Sequence, residues 1–70
     1  MLIPQFDSTI AEAIRTFPGQ YQAVNFTRIE FYDDSIMFFE SESWYLTYHN
    51  DTNKWFLYDW LADLIGIEIT

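Results

Sequence analysis

The 70-residue chain has no cysteine, only two glycines, and no uninterrupted apolar run of about 18 residues. Without cysteine there is neither a disulfide framework nor thiolate chemistry, and because small secreted domains are often held by disulfides, we expect a cytoplasmic protein. The two glycines, Gly19 and Gly66, are too far apart in sequence to form a glycine-rich phosphate loop. The first residues contain no basic region, so we expect neither a signal peptide nor a membrane span.

Basic residues are also scarce, because only Arg15, Arg28 and Lys54 oppose eleven acids, giving a formal net charge of −8. The interval between Arg28 and Lys54 holds six acids and no base. Such a charge repels nucleic acid and anionic lipid and attracts basic proteins. We therefore expect a basic protein as the partner, with no direct binding of nucleic acid or membrane.

Residue sets that carry chemistry are missing as well. The single histidine, His49, stands beside Asn50 and Asp51, where a solvated turn residue is expected. One histidine without cysteine cannot complete a zinc set, and the segment 50–53 lacks the glycine and glutamate of a calcium loop. No serine lies in a nucleophile-elbow motif. We predict that the chain is not an enzyme and has no catalytic residue, no metal site and no cofactor.

Aromatic residues are abundant: thirteen of the fifteen lie between Tyr21 and Trp60. Aromatic and β-branched side chains favour strands, and turn-forming clusters at 33–35 and 50–53 divide the stretch. We predict strands at 20–32, 36–39, 44–49 and 54–58. The apolar parity changes at Thr27-Arg28, which predicts a β-bulge there unless both faces of the strand are covered.

Helical patterns flank the predicted strands. Ile10, Ala13, Ile14 and Phe17 have the spacing of an amphipathic helix over 8–17, which Pro18-Gly19 ends. A second helix is predicted over 60–65, capped by Asp59 and ended by Gly66, after which 67–69 either adds an edge strand or packs down. The predicted fold class is α+β. One domain over 1–70 packs an N-terminal helix on an antiparallel sheet of three to four strands, with a short C-terminal helix.

The acids suggest a function. Five of them cluster around one predicted hairpin: Glu30, Asp33, Asp34, Glu40 and Glu42. Carboxylates at that density can imitate a run of phosphates, so the main hypothesis is an acidic module that occupies the basic surface of a nucleic-acid-binding protein or nuclease. By analogy of composition, inhibitors encoded by phages or mobile elements are of this kind. Tyr45 and Trp55 are predicted as additional contacts, because Tyr and Trp are enriched in binding hot spots.

The alternative hypothesis is a structural or interaction subunit. In that case the surplus aromatic surface would bury against a second copy of the chain or a larger assembly. Binding that weakens steeply with salt would favour the acidic module, whereas a large apolar patch with a two-fold mate would favour self-association.

Overall fold

A computed structural model describes the backbone of residues 4–69 and the side chains of residues 8–69. The elements are α1 (Pro4–Arg15), β1 (Arg28–Phe31), β2 (Ser35–Ser41), β3 (Trp44–His49), β4 (Lys54–Asp59) and β5 (Leu64–Ile69). Short 3-10 turns occupy Gly19–Tyr21 and Trp60–Ala62. The five strands form one antiparallel sheet in chain order, β1-β2-β3-β4-β5. Within the described part of the chain, no helix is long and apolar enough to cross a membrane.

The predicted fold class was wrong, because the described chain is mostly β, with five strands and no C-terminal helix. The segment predicted as that helix makes a single 3-10 turn, in which the Asp59 carboxylate accepts a hydrogen bond from the Ala62 N–H at 3.2 Å. Asp63 then adopts left-handed φ and ends the turn. A helix of six residues is too short to sustain itself, whereas pairing of β5 with β4 satisfies the backbone of the same segment.

Two other boundaries also differ from the prediction. The strand predicted over 20–32 is reduced to Arg28–Phe31, since the chain before it forms a 3-10 turn and a loop. Conversely, β2 continues through Ser41, and the register with β3 shifts between Phe39 and Ser41. The irregularities of the sheet therefore lie at Glu40 and between Leu57 and Asp59, rather than at Thr27-Arg28.

One face of the sheet packs against α1, and we call it the covered face. Its side chains form two cross-strand rows, Ile29–Phe38–Leu46–Leu57–Ile67 and Phe31–Ile36–Tyr48–Trp55–Ile69. Ala13 is only 1% exposed, and Ile10 and Phe17 pack on the same core. Ile14 is 71% exposed, because it lies at the edge of the helical stripe.

Polar atoms at the border of this core are paired. The Trp55 Nε1–H donates to Thr16 Oγ1 at 3.1 Å, which ties the end of α1 to β4. The Tyr48 hydroxyl accepts from Asn53 Nδ2 at 2.7 Å, and Asn53 takes the left-handed φ of 57° that asparagine tolerates in turns. The two aromatic residues are thus buried without losing their hydrogen bonds.

Candidate protein-binding face

The opposite side of the sheet carries no helix among the described residues, and we call it the open face. It also consists of cross-strand rows, because side chains alternate between the two sides of each strand. The rows are Arg28–Phe39–Tyr45–Tyr58 and Glu30–Met37–Thr47–Phe56–Glu68. Trp60 extends the first row beyond the end of β4. Unlike the rows of the covered face, both rows contain charged residues at an edge strand.

The aromatic ladder, which comprises Phe39, Tyr45, Tyr58 and Trp60, runs across the open face. Ring centroids of Phe39 and Tyr45 lie 4.8 Å apart. Tyr45 and Tyr58 are stacked at 5.0 Å with an interplanar angle of 17°, and Tyr58 and Trp60 are stacked at 6.3 Å and 24°. The last three rings of the ladder therefore form a nearly parallel row, whereas Phe39 is tilted by 39° from Tyr45. The outer member, Trp60, remains 52% exposed.

The orientation of Trp60 is fixed by two hydrogen bonds. Its Nε1–H donates to the Tyr45 hydroxyl at 3.0 Å, and its backbone N–H donates to the Ser43 carbonyl at 2.8 Å. Gly66 lies against the ladder: a Cβ at that position would contact Tyr58, 3.4 Å from its hydroxyl. A large exposed aromatic ring that is held in place costs little entropy when it binds a partner.

Arg28 closes the other end of the ladder. Its guanidinium lies 3.9 Å from the centroid of the Phe39 ring, which keeps Phe39 buried although no helix covers it. The same guanidinium donates to Glu30 at 2.7 Å and makes a two-pronged contact with Glu42. One arginine thus combines an aromatic platform with carboxylates on two sides.

These contacts shift the pKa of each group involved. The Arg28 guanidinium lowers the pKa of the Glu42 carboxyl. The pKa of Glu30 is lowered first by the hydrogen bond from the Tyr32 hydroxyl and then by Arg28, and the same bond raises the pKa of Tyr32. The pKa of Arg28 is raised by Glu42 and Glu30. All four groups are at the surface, so these shifts describe local charge pairing rather than a catalytic site.

The hydroxyl of Thr47 is an exception to the pairing seen elsewhere. Thr47 lies in the second row of the open face, between Met37 and Phe56, and is buried. Among the described side chains, its Oγ1 is the buried polar atom without a hydrogen-bond partner. A buried hydroxyl without a partner costs free energy, so the floor of the open face is not optimised for stability alone.

All three basic residues form ion pairs within the chain. Arg15 pairs with Glu12, Arg28 with Glu30 and Glu42, and Lys54 with Glu68 at 3.9 Å. Within residues 8–69, six acids remain without a basic partner: Asp33, Asp34, Glu40, Asp51, Asp59 and Asp63. The negative charge of the surface is therefore not neutralised from within.

The structure separates the five acids that the sequence placed around one hairpin. Asp33 and Asp34 lie in the β1–β2 turn, whereas Glu40 and Glu42 lie at the far end of β2. Six strand positions lead from Asp34 to Glu40, which separates the two groups by about 20 Å. Glu40 lies beside Trp44, on the side of the loop that precedes β1.

Pairing through the sheet brings other acids to each end. The Asn50 N–H donates to the Asp34 carbonyl at 3.1 Å, so the turn that contains Asp51 lies next to the β1–β2 turn. At the opposite end, Glu30 and Glu42 meet through Arg28, and the bond from Trp60 to Ser43 joins the β2–β3 turn to the segment between β4 and β5. Both ends of the sheet are therefore acidic.

The two predicted aromatic contacts have different positions. Trp55 is 4% exposed in the core of the covered face, so it is not available to a partner, and this prediction is corrected. Its apolar neighbours at Phe17, Phe38 and Tyr48 explain the burial. Tyr45 lies in the ladder of the open face and is half-buried.

The aromatic ladder itself was missed in the sequence. A four-residue turn at 50–53 places His49 opposite Lys54, and counting back along both strands pairs Tyr45 with Tyr58. This register was the feature of the sequence from which the pairing of Tyr45 with Tyr58 could have been predicted. The contribution of Phe39 was obscured, because the prediction ended the strand there instead of at Ser41.

Comparison of the chain with known protein families, with characterised proteins and with solved structures found no match. Within the described residues, no group of three or more His, Cys, Asp or Glu side chains is arranged to hold a metal ion. The arrangement on the open face, a row of rings bordered by carboxylates, is suited to recognising a cation or a basic protein surface.

Proposed function

We propose that the protein is a cytoplasmic, acidic protein-binding module that occupies the basic surface of a nucleic-acid-binding protein or nuclease and competes with nucleic acid there. Inhibitors from phages and mobile elements provide the analogy in composition. The observation that carries the proposal is that Arg15, Arg28 and Lys54 are all paired within the chain, while six described acids have no basic partner. The uncompensated charge is available to an external basic surface.

The positions of the free acids suit such a role. Asp33, Asp34 and Asp51 are exposed in turns at one end of the sheet, where a partner can reach them without disturbing the core. Exposed charges at the rim of an interface mainly raise the rate of encounter with an oppositely charged partner. Binding by this surface is therefore expected to be fast and sensitive to salt.

The test begins with capture of partners on the immobilised protein at about 50 mM and about 500 mM salt, which spans strong and weak screening. A captured partner is then purified, and its association rate is measured against the wild type and against Asp33→Asn plus Asp34→Asn. Duplex DNA is added as a competitor. We expect a basic partner whose association slows in the double variant and whose binding DNA displaces.

A second double variant, Glu12→Gln plus Glu68→Gln, removes the same charge from acids that are already paired. Equal effects of the two variants would show that net charge alone matters, and the turn acids would then lose their assigned role. Capture that is unaffected by salt would contradict the proposal. If DNA does not displace the partner, the protein would still be a binding module, but competition with nucleic acid would be excluded.

Self-association is the second candidate function, and one observation favours it. A groove of about 110 Å³ between α1 and β1 is lined by apolar side chains, among which Ile14, Ile29 and Phe31 are exposed. Sedimentation of the purified chain at several concentrations tests this candidate. A dimer that Ile29→Asp dissociates would support it, and a monomer at all concentrations would exclude it.

A further inference from the structure

We propose that the open face contains a binding site for an arginine side chain of the partner, at the Tyr58–Trp60 end of the aromatic ladder. This inference rests on the proposed function, because it names the site and the side chain through which a basic partner is recognised. The occupant is an arginine in an exposed segment of a basic protein.

The chain already binds one of its own arginines on the ladder. Arg28 lies 3.9 Å over the Phe39 ring and is held by Glu30 and Glu42. A guanidinium is planar and weakly hydrated, so it stacks on a ring while its N–H groups donate sideways to carboxylates. The Phe39 end of the ladder is therefore filled from within.

The other end of the ladder has an exposed ring, and no described cation of the chain stacks on it. Trp60 is 52% exposed and held in a fixed orientation by its bonds to Tyr45 and Ser43.

One acid adjoins Trp60 along the chain. Asp63 ends the 3-10 turn that begins at Trp60, and it has no basic partner among the described side chains. Asp59, in contrast, lies opposite Trp44 and therefore on the covered side of the sheet. Tryptophan is the aromatic side chain that binds cations best. Rings that stack alone would also suit a nucleobase or a sugar, but the net charge of −8 repels nucleic acid and favours a cationic ligand.

The probes are a hexa-arginine peptide and a hexa-lysine peptide, with a thymidine octanucleotide and cellohexaose as competing ligand classes. Binding is followed by titration calorimetry and by the NMR signal of the Trp60 Nε1–H. We expect hexa-arginine to bind about 2- to 5-fold more tightly than hexa-lysine and to shift the Trp60 signal. Preferential binding of the oligonucleotide or the sugar would overturn the inference.

Two matched pairs of variants locate the site. Trp60→Ala is compared with Leu61→Ala, the neighbouring residue, which is 88% exposed and outside the ladder. We expect Trp60→Ala to abolish the preference for arginine over lysine and Leu61→Ala to preserve it. Thermal melts of both variants check that the fold is retained.

The second pair is Arg28→Met and Arg15→Met, which change the net charge equally. Arg28→Met frees Glu42, Glu30 and the Phe39 ring, whereas Arg15→Met frees only Glu12 on α1. Because the vacated ring lies at the opposite end of the ladder from Trp60, this pair tests whether a ring flanked by carboxylates binds arginine, and we expect hexa-arginine affinity to increase more in Arg28→Met. Equal increases would show that the peptide responds to overall charge rather than to the ladder.

The outcomes separate this inference from the proposed function. If both peptides bind equally, weaken with salt and are unaffected by Trp60→Ala, the arginine site is excluded and the acidic module stands. If neither peptide binds at low salt, recognition of basic surfaces itself is contradicted, and the inference fails with it.

Discussion

The covered and open faces of the sheet are both rich in aromatic residues, yet they use them differently. On the covered face, Phe17 meets Phe26, Phe38 and Trp55 edge to face, which fills space in three dimensions. On the open face, Tyr45 stacks on Tyr58 in a nearly parallel row that continues to Trp60. Edge-to-face packing makes a core, whereas a parallel row leaves its outer surfaces accessible.

The neighbours of the rings account for this difference. Rows on the covered face consist of apolar side chains apart from the paired Tyr48 and Trp55 hydrogen-bonding atoms. Rows on the open face begin at Arg28 or Glu30, and one ends at Glu68. Charges on both edge strands keep a second layer from packing on this side and discourage edge-to-edge pairing. The charges on the edge strands therefore explain why this aromatic face stays open.

The largest expected effect comes from comparing two tryptophans. Trp55→Ala removes a side chain that is 4% exposed and its bond to Thr16, and should cost about 3–5 kcal/mol. A chain of this size has a stability of about 4–10 kcal/mol, so the variant should be largely unfolded or nearly so. Trp60→Ala, on the open face, should cost less than about 1 kcal/mol.

Urea denaturation followed by circular dichroism measures both. Trp55→Phe serves as the control, since it keeps a ring in the core and loses only part of the packing. Similar destabilisation by the two alanine substitutions would contradict the division into a covered and an open face.

The next effect concerns the support of the ladder. Gly66 has φ of +64°, a conformation that L residues adopt only with strain, and it faces the Tyr58 ring. Gly66→Ala should destabilise the protein by about 1–2 kcal/mol and alter the near-UV circular dichroism of the ladder. Gly19→Ala is the matched control, because a Cβ there meets nothing within 4 Å. Equal stability of the two variants would show that Gly66 is not strained.

The sequence was informative where turns and periodicity agree. Asp33-Asp34 and the segment 50–53 do form turns, and β2, β3 and β4 lie close to the predicted positions, because aromatic and β-branched residues between turn formers favour strands. The segment after Asp59 was misjudged. Leu61, Leu64 and Ile65 fit a short helix by spacing, but the left-handed Asp63 and the pairing of β5 decide the outcome through contacts distant in sequence.

The candidate site was less predictable than the fold. Hydrophobicity alone did not distinguish Trp55 from Tyr45, because adjacent strands place them on opposite faces and, within residues 4–69, only the covered face has a helix. The acids were identified by composition, but the seven residues of β2 carry Asp34 and Glu42 to opposite ends. The pairing of Arg28 with Phe39 depends on the length of the β1–β2 turn, which the sequence did not fix.

A smaller effect of opposite sign is expected at Thr47. Its buried Oγ1 has no partner, so Thr47→Val should raise stability by about 1 kcal/mol. Thr16→Val is the control from the covered side, since its hydroxyl accepts from Trp55 and its loss should lower stability. Urea midpoints measure both changes. A Thr47→Val variant that is less stable would show that the hydroxyl has a partner in solution.

The smallest effect is the pH dependence of the Arg28–Glu42 contact on the open face. Arg28 lowers the folded-state pKa of Glu42, so the contribution of this carboxylate is present above its unfolded pKa of about 4.3 and is lost as the pH falls through the lower folded pKa. The Glu42 side chain is 80% exposed, so salt should weaken the effect further. A carboxyl NMR titration should place the pKa of Glu42 below the usual glutamate value in the wild type and return it toward that value in Arg28→Met. An unchanged titration in that variant would show that Arg28 does not hold Glu42 in solution, and the internal precedent for an arginine on the ladder would be lost.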